Sequence, residues 1–179
     1  MATVKSVEIT KLDNTPRDTL EAASAGGKLR VWMDTIAVGT GDLDDDVIIL
    51  GQVPSNAKIV SLRIYNDDLN SGSGTHNLGL YNGPQAYTIS GTTVAAGAVI
   101  DEDCYATDST AFRAATTTAT GAEEQLIEVR NINTIANFVW EDGGISEDPK
   151  VPLRIAVTMS ATGTAVAGDI TLVCLYTVD

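Results

Sequence analysis

His76 is the one histidine in a chain of 179 residues, so any serine-based nucleophilic site would have to be built on it. Its setting, Ser71-Gly-Ser-Gly-Thr-His-Asn77, puts Ser71 and Ser73 close by. A hydroxyl becomes a nucleophile when an imidazole takes its proton and a carboxylate orients that imidazole. Sequence neighbours rarely supply that geometry, and no strained nucleophile turn is present, so a solvated turn histidine is expected. Asp42, Asp44, Asp45 and Asp46 crowd a short stretch and could offer hard oxygens to Ca²⁺. The stretch lacks the glycine and the distal glutamate of an EF-hand loop. Asp42, Asp44 and Asp46 are therefore weak metal candidates in what reads as a solvated turn, and Asp67, Asp68 and Asn70 form a second such cluster. Gly72 and Gly74 have neither a following Lys-Ser/Thr nor a helix to receive an anion, and read as turn glycines. Trp32, Trp140, Tyr65, Tyr81 and Tyr87 could line a sugar-binding face. With aromatics at only 5% of the chain, core and interface packing is the simpler use for them. No catalytic residue and no cofactor site is assigned.

The elements that would carry these residues are mostly strands. Leu29, Val31 and Met33 alternate with Arg30, Trp32 and Asp34 over Lys28 to Val38, the period of a sheet with one wetter face. Val47 to Leu50 is a short β-branched run suited to a buried strand. From Ala57 to Tyr65, Lys58, Val60, Leu62 and Ile64 alternate with Ile59, Ser61, Arg63 and Tyr65. Asn77 to Tyr81 closes what reads as a meander, with turns at Gly39–Asp46, Gly51–Asn56 and Asn66–Gly74. In the middle, Tyr87 to Ile89 and Thr92 to Val94 have the composition of short strands. Asp101, Glu102 and Asp103 fall in an expected turn, and Thr107 to Thr120 reads as an irregular loop. Glu123 to Val129 fits a strand or a short helix. Ile132, Ile135, Ala136 and Val139 have helical spacing, which predicts one short helix near 132–142, ended by Gly143-Gly144. Leu153, Ile155, Val157 and Met159 share one face, as do Ile170, Leu172, Cys174 and Tyr176. These two segments are expected to form a closing antiparallel hairpin.

With no alternation of strand and helix, no parallel sheet is expected. The prediction is an all-β, antiparallel β-sandwich, jelly-roll-like, over residues 28–179. Residues 1–27 differ. Val4, Val7 and Ile9 suggest a short extended piece, Thr15-Pro16 breaks regularity, and Ala22 to Gly27 is small and flexible. Two readings stand side by side: a partly ordered terminus, or an arm that reaches a neighbouring subunit.

Composition narrows the partners. Hydrophobic residues are 44% and charged residues 20%, which fits neither a disordered nor a membrane class. With 24 acidic against 11 basic residues, the formal net charge is −13. That field repels phosphates, so neither nucleic acid nor an anionic membrane is an expected partner. Met1 to Glu8 has no apolar signal-like core, so synthesis and folding in a cytoplasm are expected. Cys104 and Cys174 are too few for a disulfide framework or a four-thiolate zinc site.

From Gly27 onward, the order of short segments resembles a group of small virion proteins of tailed bacteriophages. The segments are Gly-Lys-Leu-Arg-Val from Gly27, Asp-Val-Ile-Ile-Leu-Gly-Gln-Val-Pro-Ser-Asn-Ala-Lys-Ile-Val-Ser from Asp46, Asn-Asp-Asp-Leu from Asn66 and Leu-Gly-Leu-Tyr from Leu78. Val139-Trp-Glu-Asp-Gly-Gly-Ile-Ser-Glu-Asp-Pro149 is similar to a later segment of that group, and Gly168-Asp-Ile-Thr-Leu-Val-Cys-Leu-Tyr176 to its closing one. The match is poor between Pro84 and Gly121, and Arg63 replaces a more usual apolar or small residue. The resemblance implies no enzymatic activity and a structural role on the virion, foremost as a capsid decoration (cement) protein on the head surface. Its implied partners are the major capsid protein and copies of itself, a trimer ahead of a dimer. Val4, Val7, Ile9, Leu12, Pro16 and Leu20 of the arm become the candidate capsid or subunit contacts. A tail, collar or head-fibre component with an adsorption or glycan-binding role is the alternative. A carbohydrate-binding or hydrolytic jelly roll is a third reading.

Overall fold

The structure is a computed structural model, and it describes residues 7–16, 18–19, 27–41, 46–71, 73–113, 115, 135–161 and 163–178. Among the described residues eleven strands dominate: β1 (Lys28–Val38), β2 (Val47–Val53), β3 (Lys58–Asn66), β4 (Asn70–Ser71), β5 (Thr75–Asn82), β6 (Tyr87–Ile89), β7 (Thr92–Val94), β8 (Val99–Ser109), β9 (Leu153–Ala161), β10 (Thr164–Ala165) and β11 (Gly168–Val178). Two short helices, α1 (Val7–Asp13) and α2 (Val139–Asp142), and a 3₁₀ turn at Ala111–Arg113 accompany them. The two main sheets have the orders β1-β11-β3 and β2-β9-β5-β8, and every pair in them is antiparallel. One core joins their inner faces. Leu62, Ile64, Ile170, Leu172 and Cys174 come from the first sheet, and Leu78, Leu80, Ile155 and Val157 from the second. This is an all-β sandwich, as the strand pattern predicts.

Pairing differs from the expected order. The first three long strands form no meander: β1 and β3 both pair with β11, while β2 and β5 pair with β9. Nor do β9 and β11 form a hairpin; each is an inner strand of a different sheet. The reason is burial. β11 alternates buried Ile170, Leu172, Cys174, Tyr176 and Val178 with half-buried residues and so fits between two neighbours. β9 buries Leu153, Ile155, Ala156 and Val157 completely. A strand with this much buried apolar surface gains more from two neighbours than from one short turn.

Two bulges set which side chains face inward. In β3, Ser61 pairs with Leu175 and Ile59 with Tyr176, so Val60 is the additional residue. Ile59 and Leu62 are then both buried, while Val60 is 57% exposed, a break in alternation that one extra residue produces. In β2, Ile49 pairs with Ala156 and Gly51 with Ile155, leaving Leu50 as the extra residue. Gly51 lies under the other sheet. A Cβ there would sit 2.7 Å from Leu172 Cδ2 and 2.9 Å from the Trp32 ring.

Other expectations are corrected. Asp101, Glu102 and Asp103 lie within strand β8 rather than a turn. β8 is the edge of its sheet and mostly half-buried or exposed, and its pairing with β5 shifts register three times. An edge with a wet face accepts carboxylates that an inner strand would not. The helix expected near 132–142 is only Val139–Asp142; residues 135–136 form a turn, and 131–134 lie outside the described residues. The Val139 N–H donates to the Ala57 carbonyl at 2.9 Å and the Trp140 N–H to the Ser55 carbonyl at 3.2 Å. Glu141 accepts the Phe138 N–H at 2.8 Å. This single turn is therefore docked on the β2–β3 connection, with Val139 fully buried, and the helical spacing before it is not continued in the described turn. Val7 to Asp13 is helical, not extended. Its C-terminal end is tied by Asn14 and Asp18 N–H groups donating to the Lys11 carbonyl, at 3.3 and 3.2 Å, which satisfies a carbonyl that the helix itself leaves without a partner.

Candidate contact surfaces

The fold separates the chemistry-bearing residues instead of gathering them. His76 is not a solvated turn residue: it lies within β5 and is 1% exposed. Its ring stacks on Phe112, with centroids 3.8 Å apart and an interplanar angle of 10°, and Nε2 has no hydrogen-bond partner. Burial lowers its pKa from 6.5 to about 4. A neutral imidazole sealed against a phenyl ring cannot be reached by a substrate, so the one histidine serves packing. Asp42 and Asp44 lie outside the described residues, and Asp46 is exposed just before β2. Among the described residues no three His, Cys, Asp or Glu side chains converge on a point that could hold a metal ion.

Asp67 is used within the fold. Its carboxylate accepts the Asp169 N–H at 2.9 Å, and its own N–H donates to the Asp169 carbonyl at 3.0 Å. Neither Cys104 nor Cys174 forms a disulfide among the described residues. Burial, with Asp101 and Asp142 nearby, pushes the Cys104 thiol well above its usual range, which keeps it protonated and unreactive. An open groove of about 530 Å³ is lined by Pro54, Ser55, Asn56, Asp148, Lys150, Val151 and Pro152. The Ser55 hydroxyl donates to Asp148 Oδ1 at 2.5 Å, and the Lys150 N–H donates to the same oxygen at 2.9 Å. Asp148 thus ties the strand connections together, and no imidazole stands near to activate Ser55.

The aromatic residues are equally scattered. The Tyr81 hydroxyl bonds Thr158 within the second sheet, and Trp32 Nε1 donates to the Leu50 carbonyl at 3.3 Å across the two sheets. Trp140 stacks near Phe138, whose ring also carries the Lys58 ammonium 4.5 Å from its centroid. No common sugar-binding face results among the described residues.

What remains is surface. Of the arm residues, Ile9 is 47% exposed on α1 and Pro16 is exposed beyond it. Val7 and Leu12 belong to the helix backbone, and Val4 and Leu20 lie outside the described residues. A larger apolar surface was missed by sequence reasoning. β1 turns Trp32 toward the core and leaves Leu29, Val31 and Met33 63%, 59% and 70% exposed. Beside them, Ile36, Val47 and Ile49 are also exposed around a groove of about 300 Å³ between the edges of β1 and β2. The signal was present: Gly51 in β2 leaves room for one indole, and a tryptophan alternating with smaller apolar residues is a candidate for the inward side.

The chain is similar in fold to a phage capsid chain. That chain belongs to the capsid of Ralstonia phage GP4; the match has a TM-score of 0.51 and 20% identity and covers 86% of each chain. A chain of the cyanophage Pam1 capsid asymmetric unit matches at a TM-score of 0.48 with 15% identity, covering 93% of this chain and 97% of that one. No family model matches the sequence, and no curated protein matches it.

Proposed function

We propose that this chain is a structural protein of a tailed-phage virion, a decoration (cement) protein that binds the assembled head and reinforces it. The observation that carries the proposal is the fold shared with a chain of the Ralstonia phage GP4 capsid over 86% of both chains. The ordered segments from Gly27 to Tyr176 that resemble small phage virion proteins support it independently. The physics agrees. Such a protein needs a rigid scaffold, exposed apolar surface and chain segments that reach across subunit joints. Its partner is the major capsid protein, and its place is the head surface. A net charge of −13 keeps it off the packaged genome. Many equivalent weak contacts across a lattice add up to resistance against internal pressure.

Residues 1–27 act as the docking arm in this proposal, with Val4, Val7, Ile9, Leu12, Pro16 and Leu20 as contacts. The test is to mix purified chain with heads that lack it and to locate it by cryo-electron microscopy. Density over the head lattice for the full chain, lost on deleting residues 1–27, is the expected result. Density at the tail, collar or a single vertex would replace this reading with an adsorption role. No density on any particle, with a signal on a glycan array, would replace it with carbohydrate binding.

A further inference from the structure

We propose that two copies of this chain join edge to edge through β1, forming a two-fold, antiparallel β1–β1 pair centred on Trp32. The inference concerns the isolated chain in solution and stands or falls apart from binding to a phage head. β1 has 11 residues and pairs with β11 along its whole length without a bulge. It is the outer strand of its sheet, and no strand pairs with its other side among the described residues. Except for Trp32 and Val38, every one of its residues is exposed. A long, regular, apolar edge is a template for another strand, and proteins that must stay monomeric interrupt such edges with a bulge, a proline or repelling charges. β1 has no bulge and no proline, and its charges have mixed sign.

Those charges select the occupant and the register. In an antiparallel pair, residues directly opposite each other must both turn their backbone groups toward the joint or both away from it. A strand that pairs with a copy of itself can therefore meet it only at positions of equal parity. Centred on Trp32, the pair sets Val31 opposite Met33 of the second copy and Leu29 opposite Thr35. It sets Arg30 opposite Asp34, twice by symmetry. An opposite-charge pair directly across two strands is stabilising, and a like-charge pair is not. The Asp34 carboxylate already accepts the Thr35 N–H at 2.9 Å, and its remaining lone pairs can take the guanidinium. The chain as a whole repels its copies at −13, but β1 carries Lys28 and Arg30 against one acid, Asp34, so this flank is where two acidic molecules can approach. A two-fold joint uses one patch on both partners, which is how most symmetric dimers are built.

The experiment is sedimentation velocity of the full chain over a concentration series. Expected results are a dimer for the wild type, a dissociation constant raised about tenfold or more by Arg30→Asp or Asp34→Arg alone, and no change for Lys28→Ala. Mixing the two single variants restores a heterodimer, because each then offers the other opposite charges at both positions. Thermal melts of the single variants establish that they fold. A second measurement leaves the charges untouched: mixed V31C and M33C chains form an interchain disulfide under mild oxidation, and neither variant does so alone. Opposed residues of an antiparallel pair are about 4.5–5.5 Å apart at Cα, within disulfide reach. A monomeric wild type, a dimer or trimer unaffected by the single charge reversals, or a mixture that neither reassociates nor cross-links would overturn the proposal.

Discussion

His76 lies flat against Phe112 inside the core, its Nε2 without a partner. The unfolded chain takes up a proton near pH 6.5, and the folded chain resists it until about pH 4. A base whose pKa is lowered by folding costs nothing above its unfolded value. Below it, stability falls steadily until the folded pKa is reached. The expected loss attributable to His76 between pH 6.5 and pH 4 is about 3 kcal/mol. Urea unfolding of wild type and His76→Phe across that range checks it: the two curves converge with different slopes, and only the wild type shows the histidine's share. Equal slopes would mean that the imidazole is solvated when folded. The residues that drew attention for their chemistry thus have structural duties: His76 packs, Asp67 and Asp148 hold strand ends, and Cys104 is inert.

Among the elements, β5 and β8 approach each other backbone to backbone at Gly79. A Cβ at Gly79 would lie 2.2 Å from the Asp101 carbonyl oxygen and 2.2 Å from the Glu102 carbonyl carbon, both backbone atoms. Backbone cannot swing aside as a side-chain tip can, so Gly79→Ala must separate the strands. The expected destabilisation is about 3 kcal/mol or more, at the top of the usual range for overpacking or beyond it, read as a lowered urea midpoint. Gly51→Ala meets only side-chain atoms of Leu172 and Trp32 and should cost less, about 1–3 kcal/mol. The ranking is the test: if Gly51→Ala were the more damaging of the two, the bulged approach of β8 to β5 would be wrong. β1 shows the same logic from outside, since one indole under the neighbouring sheet fixes which side of the strand is left for a partner.

For the molecule as a whole, the buried core among the described side chains runs from Val38 to Val178, and Ile9 of α1 is 47% exposed. Removing residues 1–27 should leave the thermal transition within about 2–4 °C of the full chain's, a shift of about 1 kcal/mol or less in a domain of this size. Differential scanning calorimetry of the truncated chain measures it. A large drop would show that the arm packs on its own domain, and the loss of head binding on deletion could then no longer be assigned to a lost contact.

Strand-rich composition and the alternation in the last two long strands could be read from the residues alone. Leu153, Ile155 and Val157, and Ile170, Leu172, Cys174 and Tyr176, point inward as their spacing requires, because alternation is a local property of an extended backbone. Partnership between strands is not local. Whether β9 pairs with β11 or with β2 and β5 depends on total burial over the whole molecule, and nothing in the turn between β9 and β11 encodes it. Parity is lost wherever a bulge inserts a residue, as at Val60 and Leu50, and a bulge is visible only against its partner strand. His76 could not be placed for the same reason: a polar Ser-Gly sequence beside it reads as surface until β9 and β8 close over it on both sides. The exposed flank of β1 was decided last, by a single contact between Trp32 and Gly51 that brings residues far apart in the chain together across two sheets.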